Sequence, residues 1–123
     1  MQERDTVKRE EKTMEIHIRK EREATVVSVK GRIDAVTAPE FERNLSDWIS
    51  KGENTFLLSF GDLEYISSAG LRSILAIAKK LKEQKGKIVL TGLKGSVGEV
   101  FKISGFDSIF KIFDSEENAL KEI

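Results

Sequence analysis

The chain has 123 residues, 39% hydrophobic and 34% charged, with 21 basic and 21 acidic side chains that cancel. That length suits one domain with its own core, and the composition is globular rather than disordered. A neutral total gives no support for a nucleic-acid or anionic-membrane partner. The absence of cysteine excludes disulfides, thiolate metal sites and cysteine nucleophiles, and fits a reducing cytoplasm.

Residues 1–13 are almost all polar or charged and read as a mobile tail, with Met14 as an alternative start and residues 14–123 as the domain. The tail lacks the apolar centre of a signal peptide. No apolar run in the chain reaches the roughly 18 residues of a membrane helix. Ile16 and Ile18 alternate with Glu15, His17 and Arg19, which predicts a strand with one buried face. His17, the single histidine, falls on the polar face. It has no histidine or cysteine company, so it reads as a surface residue rather than a metal ligand. Ala24 to Val29 reads as a second strand ended by Gly31, and Lys20 to Glu23 as the hairpin connection.

Thr37-Ala38-Pro39-Glu40 has capping-box spacing with proline in the first turn, where its missing N–H costs nothing. Phe41, Leu45, Trp48 and Ile49 follow at helical spacing, so Trp48 reads as core, and Gly52 suits the helix end. Thr55 to Phe60 is apolar apart from Ser59, as in a central strand covered on both faces. A long helix is predicted from Ala69 to Gln84, with Leu71, Ile74, Leu75, Ala78 and Leu81 inward and Gly86 as its cap. Lys87 to Thr91 reads as a strand. Ser96 and Glu99 form a second capping box, opening a helix that Gly105 stops, with Val97, Val100 and Phe101 inward. Ile109 to Phe113 is a last strand candidate, and Asp114-Ser115-Glu116-Glu117 starts a short terminal helix. Strands separated by helical segments predict crossover connections and partly parallel pairing.

Gly92, Gly95 and Gly98 lie between a strand and a helix. A phosphate loop needs lysine and Ser/Thr directly after its last glycine, and neither follows here. Asp34, just past the second strand, reads on spacing alone as a turn or cap residue. No carboxylate pair for acid–base work can be assigned. Ser67 and Ser68 stand between an apolar strand and a helix. One of them is expected to cap that helix. A serine at a helix start is also a favourable carrier of phosphate, because free N–H groups and the helix dipole stabilise an anion. The G-x-S-x-G elbow of serine hydrolases is absent. No catalytic residue, cofactor or metal is assigned.

At this segment the sequence resembles the STAS domain, specifically the bacterial anti-sigma factor antagonists. The resemblance covers residues 14–123 and rests on three stretches in order: Gly31-Arg32-Ile33-Asp34 with Thr37-Ala38, Phe56 to Tyr65, and Ile66-Ser67-Ser68-Ala69-Gly70-Leu71. It implies an α/β fold, a mixed four- to five-stranded sheet with about four helices packed largely on one side. It implies that Ser68 is phosphorylated by a partner kinase. Asp34, Thr37, Ser67, Ala69, Gly70, Leu71 and Arg72 then belong to the partner-binding surface. Asp34, Thr37, Ser67, Ser68 and Arg72 are expected to meet at one end of the sheet. The sequence departs from the family pattern at Ser67, where aspartate is frequent, and at Ser59, where aspartate or asparagine is frequent. The implied function is binding of an anti-sigma factor that is also a serine kinase, ended by phosphorylation, in the cytoplasm and without enzymatic activity of this chain's own. The alternative is an unswitched STAS module of a stress-signalling assembly or a lipid-transport ABC system.

Overall fold

A computed structural model describes residues 14–123; the predicted tail lies outside the described residues. Five strands form one sheet in sequential order: β1 (Met14–Glu21), β2 (Ala24–Ile33), β3 (Thr55–Ile66), β4 (Lys87–Thr91) and β5 (Lys111–Phe113). The β1–β2 hairpin is antiparallel and every other pair is parallel, so the sheet is mixed. Four α-helices connect or follow the parallel strands: α1 (Ala38–Ser50), α2 (Ser68–Glu83), α3 (Gly95–Ser104) and α4 (Glu116–Glu122). A 3₁₀ turn, Phe106–Ser108, joins α3 to β5.

The pleat divides each central strand between two cores. Val27, Phe56, Leu58, Phe60 and Leu90 face α1, α2 and α3, which contribute Phe41, Leu45, Ile74, Ile77, Leu81 and Phe101. Val26, Leu57 and Val89 face the opposite way and are covered by Ala119, Leu120 and Ile123 of α4 and its end. Phe56, Leu57 and Leu58 are each 0% exposed. The continuous apolar run of β3 therefore has the cause expected of a parallel strand, burial on both faces. Trp48 packs partly buried against the core, with the Lys51 ammonium 5.0 Å from its ring centroid.

Several local expectations are corrected. Gly31 does not end β2, and β3 does not stop at Phe60. Both strands run on together to Ile33 and Ile66, and β3 absorbs extra residues in register shifts at Ser28/Lys30 and Gly31/Arg32. Gly31 takes φ +98 inside that irregular stretch, where a side chain would be strained. In α2, Ile77 is buried, whereas Leu75 is 38% exposed, because the helix turns its apolar stripe between the sheet and α1. Ser96 does not cap α3; Lys94 holds the N-cap position, and the Ser96 hydroxyl donates to the Glu64 carbonyl at 3.4 Å. Gly86 is needed for space rather than torsion. A Cβ there would come within 2.4 Å of the Asn54 carbonyl oxygen, and Lys85 takes the positive φ of 61 instead. Ile109 is 60% exposed, ahead of the three-residue β5.

Candidate functional site

The long β2–β3 pairing brings Arg32 opposite Tyr65 and Ile33 opposite Ile66 at the sheet's C-terminal end. The two chains then diverge, one into the loop before α1 and the other into α2. They stay joined, because the backbone N–H of Ser67 donates to the Ile33 carbonyl at 2.9 Å.

On the first side, Asp34 organises the loop. Its Oδ1 accepts from the backbone N–H groups of Val36 at 3.0 Å and Thr37 at 3.1 Å. The Arg32 guanidinium lies 3.5 Å from Oδ2 and 4.3 Å from the Tyr65 ring centroid. These donors, led by the Thr37 N–H, hold the Asp34 carboxyl below its ordinary range against a smaller opposing effect of burial. Thr37 does not cap α1 with its side chain as the spacing predicts. Its hydroxyl points back into the loop, accepting the Asp34 N–H at 2.9 Å and donating to the Arg32 carbonyl at 2.9 Å. Asp34 supplies the turn, and Thr37 is 4% exposed.

On the second side, the two serines divide their tasks. Ser67 takes an extended conformation at φ −98 and ψ 175, and its Oγ accepts the Gly70 N–H at 3.3 Å. It is the N-cap of α2 and satisfies one of the donors that a helix start leaves open. Ser68, the first helical residue, is exposed, and its hydroxyl has no hydrogen-bond partner among the described residues. Gly70 lets the helix sit directly on the strand ends. A Cβ there would lie 2.7 Å from Ile66 Cγ1, 2.8 Å from Ile33 Cγ2 and 2.9 Å from the Ile33 carbonyl oxygen. Leu71 is 7% exposed beneath it.

The predicted residues therefore fall into two groups. Thr37, Gly70 and Leu71 are buried and shape the site without presenting side-chain surface. Ser68 and Arg72 are exposed, and Asp34, Ser67 and Ala69 are partly so. Arg72 and Ala69 line a shallow groove of about 410 Å³ between α1 and α2, with Ala35, Pro39 and Glu42 opposite. Sequence reasoning missed three neighbours: Val36, which is 81% exposed, Tyr65, which is 39% exposed, and Arg32, which stacks on Tyr65. An exposed valine in a turn is a signal in the sequence. The Arg32–Tyr65 pair is not, since it depends on the register shifts.

Ser59 lies on the other face of the sheet, lining a cleft with Glu116 of α4, whose carboxyl Arg19 first and Ser59 second hold below its ordinary range. Arg19 bonds the same carboxylate at 2.6 Å. Among the described residues no helix is long and apolar enough to cross a membrane.

Comparison with known proteins places this architecture. The STAS domain family matches residues 15–119. The Bordetella bronchiseptica protein BtrV, whose name assigns it provisionally to the anti-sigma factor antagonists, is 44% identical over 94 residues, covering 76% of this chain and 81% of that protein. The anti-sigma-B factor antagonist of Listeria monocytogenes is 29% identical over 90 residues, covering 73% and 79%. Among solved structures, an anti-sigma factor antagonist from Mycobacterium paratuberculosis superposes with a TM-score of 0.81 at 23% identity, covering 89% of this chain and 93% of that one. SpoIIAA in its unphosphorylated form gives 0.77 at 23% identity, covering 88% and 95%. The chain belongs to the STAS domain family, with anti-sigma factor antagonists as its relatives there.

Proposed function

We propose that this chain is an anti-sigma factor antagonist switched by phosphorylation of Ser68. In its unmodified form it binds an anti-sigma factor that is also a serine kinase, and so frees the sigma factor. The kinase then transfers phosphate to Ser68, and the product dissociates. ATP and the catalytic groups belong to the partner; this chain is a binder and a substrate in the bacterial cytoplasm.

The observation that carries this reading is the state of Ser68. Its neighbour Ser67 already caps α2, so the Ser68 hydroxyl is exposed and has no structural duty. The names of the relatives support the antagonist role, and SpoIIAA has been solved in a phosphorylated form as well, at a TM-score of 0.70. Asp34, Thr37, Ser67, Ala69, Gly70, Leu71 and Arg72 then form or shape the surface that meets the partner.

Phosphate explains release without a change of fold. It adds nearly two negative charges at pH 7, which a packed interface must desolvate or repel. A penalty of about 3–4 kcal/mol weakens binding several-hundredfold. The test is calorimetric titration of the cognate anti-sigma factor with the chain before and after kinase treatment. Tight binding by the unmodified chain and at least about a hundredfold loss after phosphorylation are expected. Equal affinity of the two forms contradicts the switch.

A further inference from the structure

Arg72 is exposed one helical turn beyond Ser68 and makes no ion pair among the described residues. Arg32 and Arg19, by contrast, are engaged: Arg32 lies between Asp34 and Tyr65, and Arg19 reaches Glu116 and Glu21. A spacing of four residues sets Ser68 and Arg72 about 40° apart around the helix and about 6 Å apart along it, on one outer face. The carboxylates nearby leave that guanidinium free. Asp34 is occupied by the donors of its own loop. Glu42 of α1 lines the same groove without an ion pair to Arg72, and the first turn of α2 holds no acidic residue.

We propose that Arg72 receives the phosphate of phosphorylated Ser68, so that modification adds negative charge and also withdraws a cation from the groove between α1 and α2. The proposal rests on the reading of Ser68 as the acceptor. A guanidinium offers two parallel N–H donors to two phosphate oxygens, which a lysine cannot match. Rotation of the Arg72 side chain suffices, and the backbone stays in place. The Ser68–Arg72 pair then changes from one positive charge to roughly one negative charge, since phosphoserine carries nearly two. A carboxylate at position 68 is shorter and has fewer acceptor oxygens, so it imitates the charge poorly and the capture of Arg72 worse.

The test uses the full chain with phosphoserine placed at position 68 during translation, followed by phosphorus NMR as pH is varied. The charged groups on the elements around the phosphate are Arg32 from the end of β2, Asp34 from the loop before α1, Glu42 from α1 and Arg72 itself. Lys79, three turns along α2, serves as the distant control. The second phosphate ionisation of the otherwise unchanged chain is expected below its ordinary value of about 6. Arg72→Gln should raise it by roughly half a unit or more, Arg72→Lys should lie between, and Lys79→Gln should leave it unchanged. Identical titrations with and without the Arg72→Gln change overturn the proposal. Phosphoserine is installed here without any kinase. A null result therefore removes the role of Arg72 alone, while failure of the cognate kinase to label Ser68 removes the switch alone.

Discussion

The Ser67 backbone N–H donates to the Ile33 carbonyl at 2.9 Å, and that single bond ties the start of α2 to the end of β2. Ser68 and the Asp34 loop belong to one surface because of it. The parallel pairing of Ile33 with Ile66 sets the distance, and Gly70 allows the helix to come close enough. The site is thus a property of the strand ends as much as of the serines.

Gly70→Ala should disturb this junction. The added Cβ would meet two isoleucine side chains and a carbonyl oxygen at under 3.0 Å, one of them backbone that cannot yield cheaply. Overpacking of this kind costs about 1–3 kcal/mol. A lowered melting temperature, together with slower phosphorylation by the cognate kinase, is expected. An unchanged melting temperature would show that the junction is looser than these distances require.

Asp34 should matter for stability as well as for binding. Asp34→Ala removes the acceptor of two backbone N–H groups and is expected to cost about 1 kcal/mol, the scale of a lost cap. Asp34→Asn keeps an acceptor oxygen and should lose less. The folded-state pKa lies below the ordinary value, so the charged form is favoured by folding. Its contribution is complete above the unfolded value of about 3.9 and is lost as pH falls through the lower folded value. Denaturant titrations across that range should therefore show a smaller acid destabilisation in Asp34→Asn than in the parent chain.

Ser59→Asp should destabilise this particular chain, although aspartate at that position suits the family pattern the sequence resembles. Glu116 is held in its charged form first by Arg19 and then by the Ser59 hydroxyl. A carboxylate in place of that hydroxyl sets two like charges together. The expected loss is about 0.5 kcal/mol at pH 7, the scale of a solvent-screened charge pair. It should shrink on acidification as the carboxylates take up protons. Ser59→Asn, which adds no charge, is the control for thermal melts.

Much of this architecture was legible in the residues. The helical stripe of Phe41, Leu45 and Ile49, the fully apolar Phe56-Leu57-Leu58 and the start of a short terminal helix at Asp114-Ser115-Glu116-Glu117 each follow from one local rule, and each is found. The adjacency of Asp34 to Ser67 came from resemblance rather than periodicity. The errors arise where two local rules compete or where a neighbour decides. Asp34 and Thr37 can both serve the start of α1, and only the loop geometry gives the turn to the aspartate. Leu75 and Ile77 can both lie inward on a 3.6-residue repeat, and contact with both the sheet and α1 selects Ile77. The extension of β2 past Gly31 depends on β3 continuing beside it, which no pattern within β2 could reveal. Adjacent serines offer the same chemistry, so the division between a cap at Ser67 and a free hydroxyl at Ser68 is a product of backbone torsion.

That division carries the central claim, and mass-spectrometric mapping of the phosphate after treatment with the cognate kinase tests it most directly. The chain, Ser67→Ala and Ser68→Ala should be compared, each with its binding to the kinase measured. Phosphate on Ser68 is predicted in the chain and in Ser67→Ala, which should lose only about 1 kcal/mol of stability with its cap. Ser68→Ala should bind and remain unlabelled. Phosphate confined to Ser67, or no labelling by a kinase that is active on another substrate, would contradict the account.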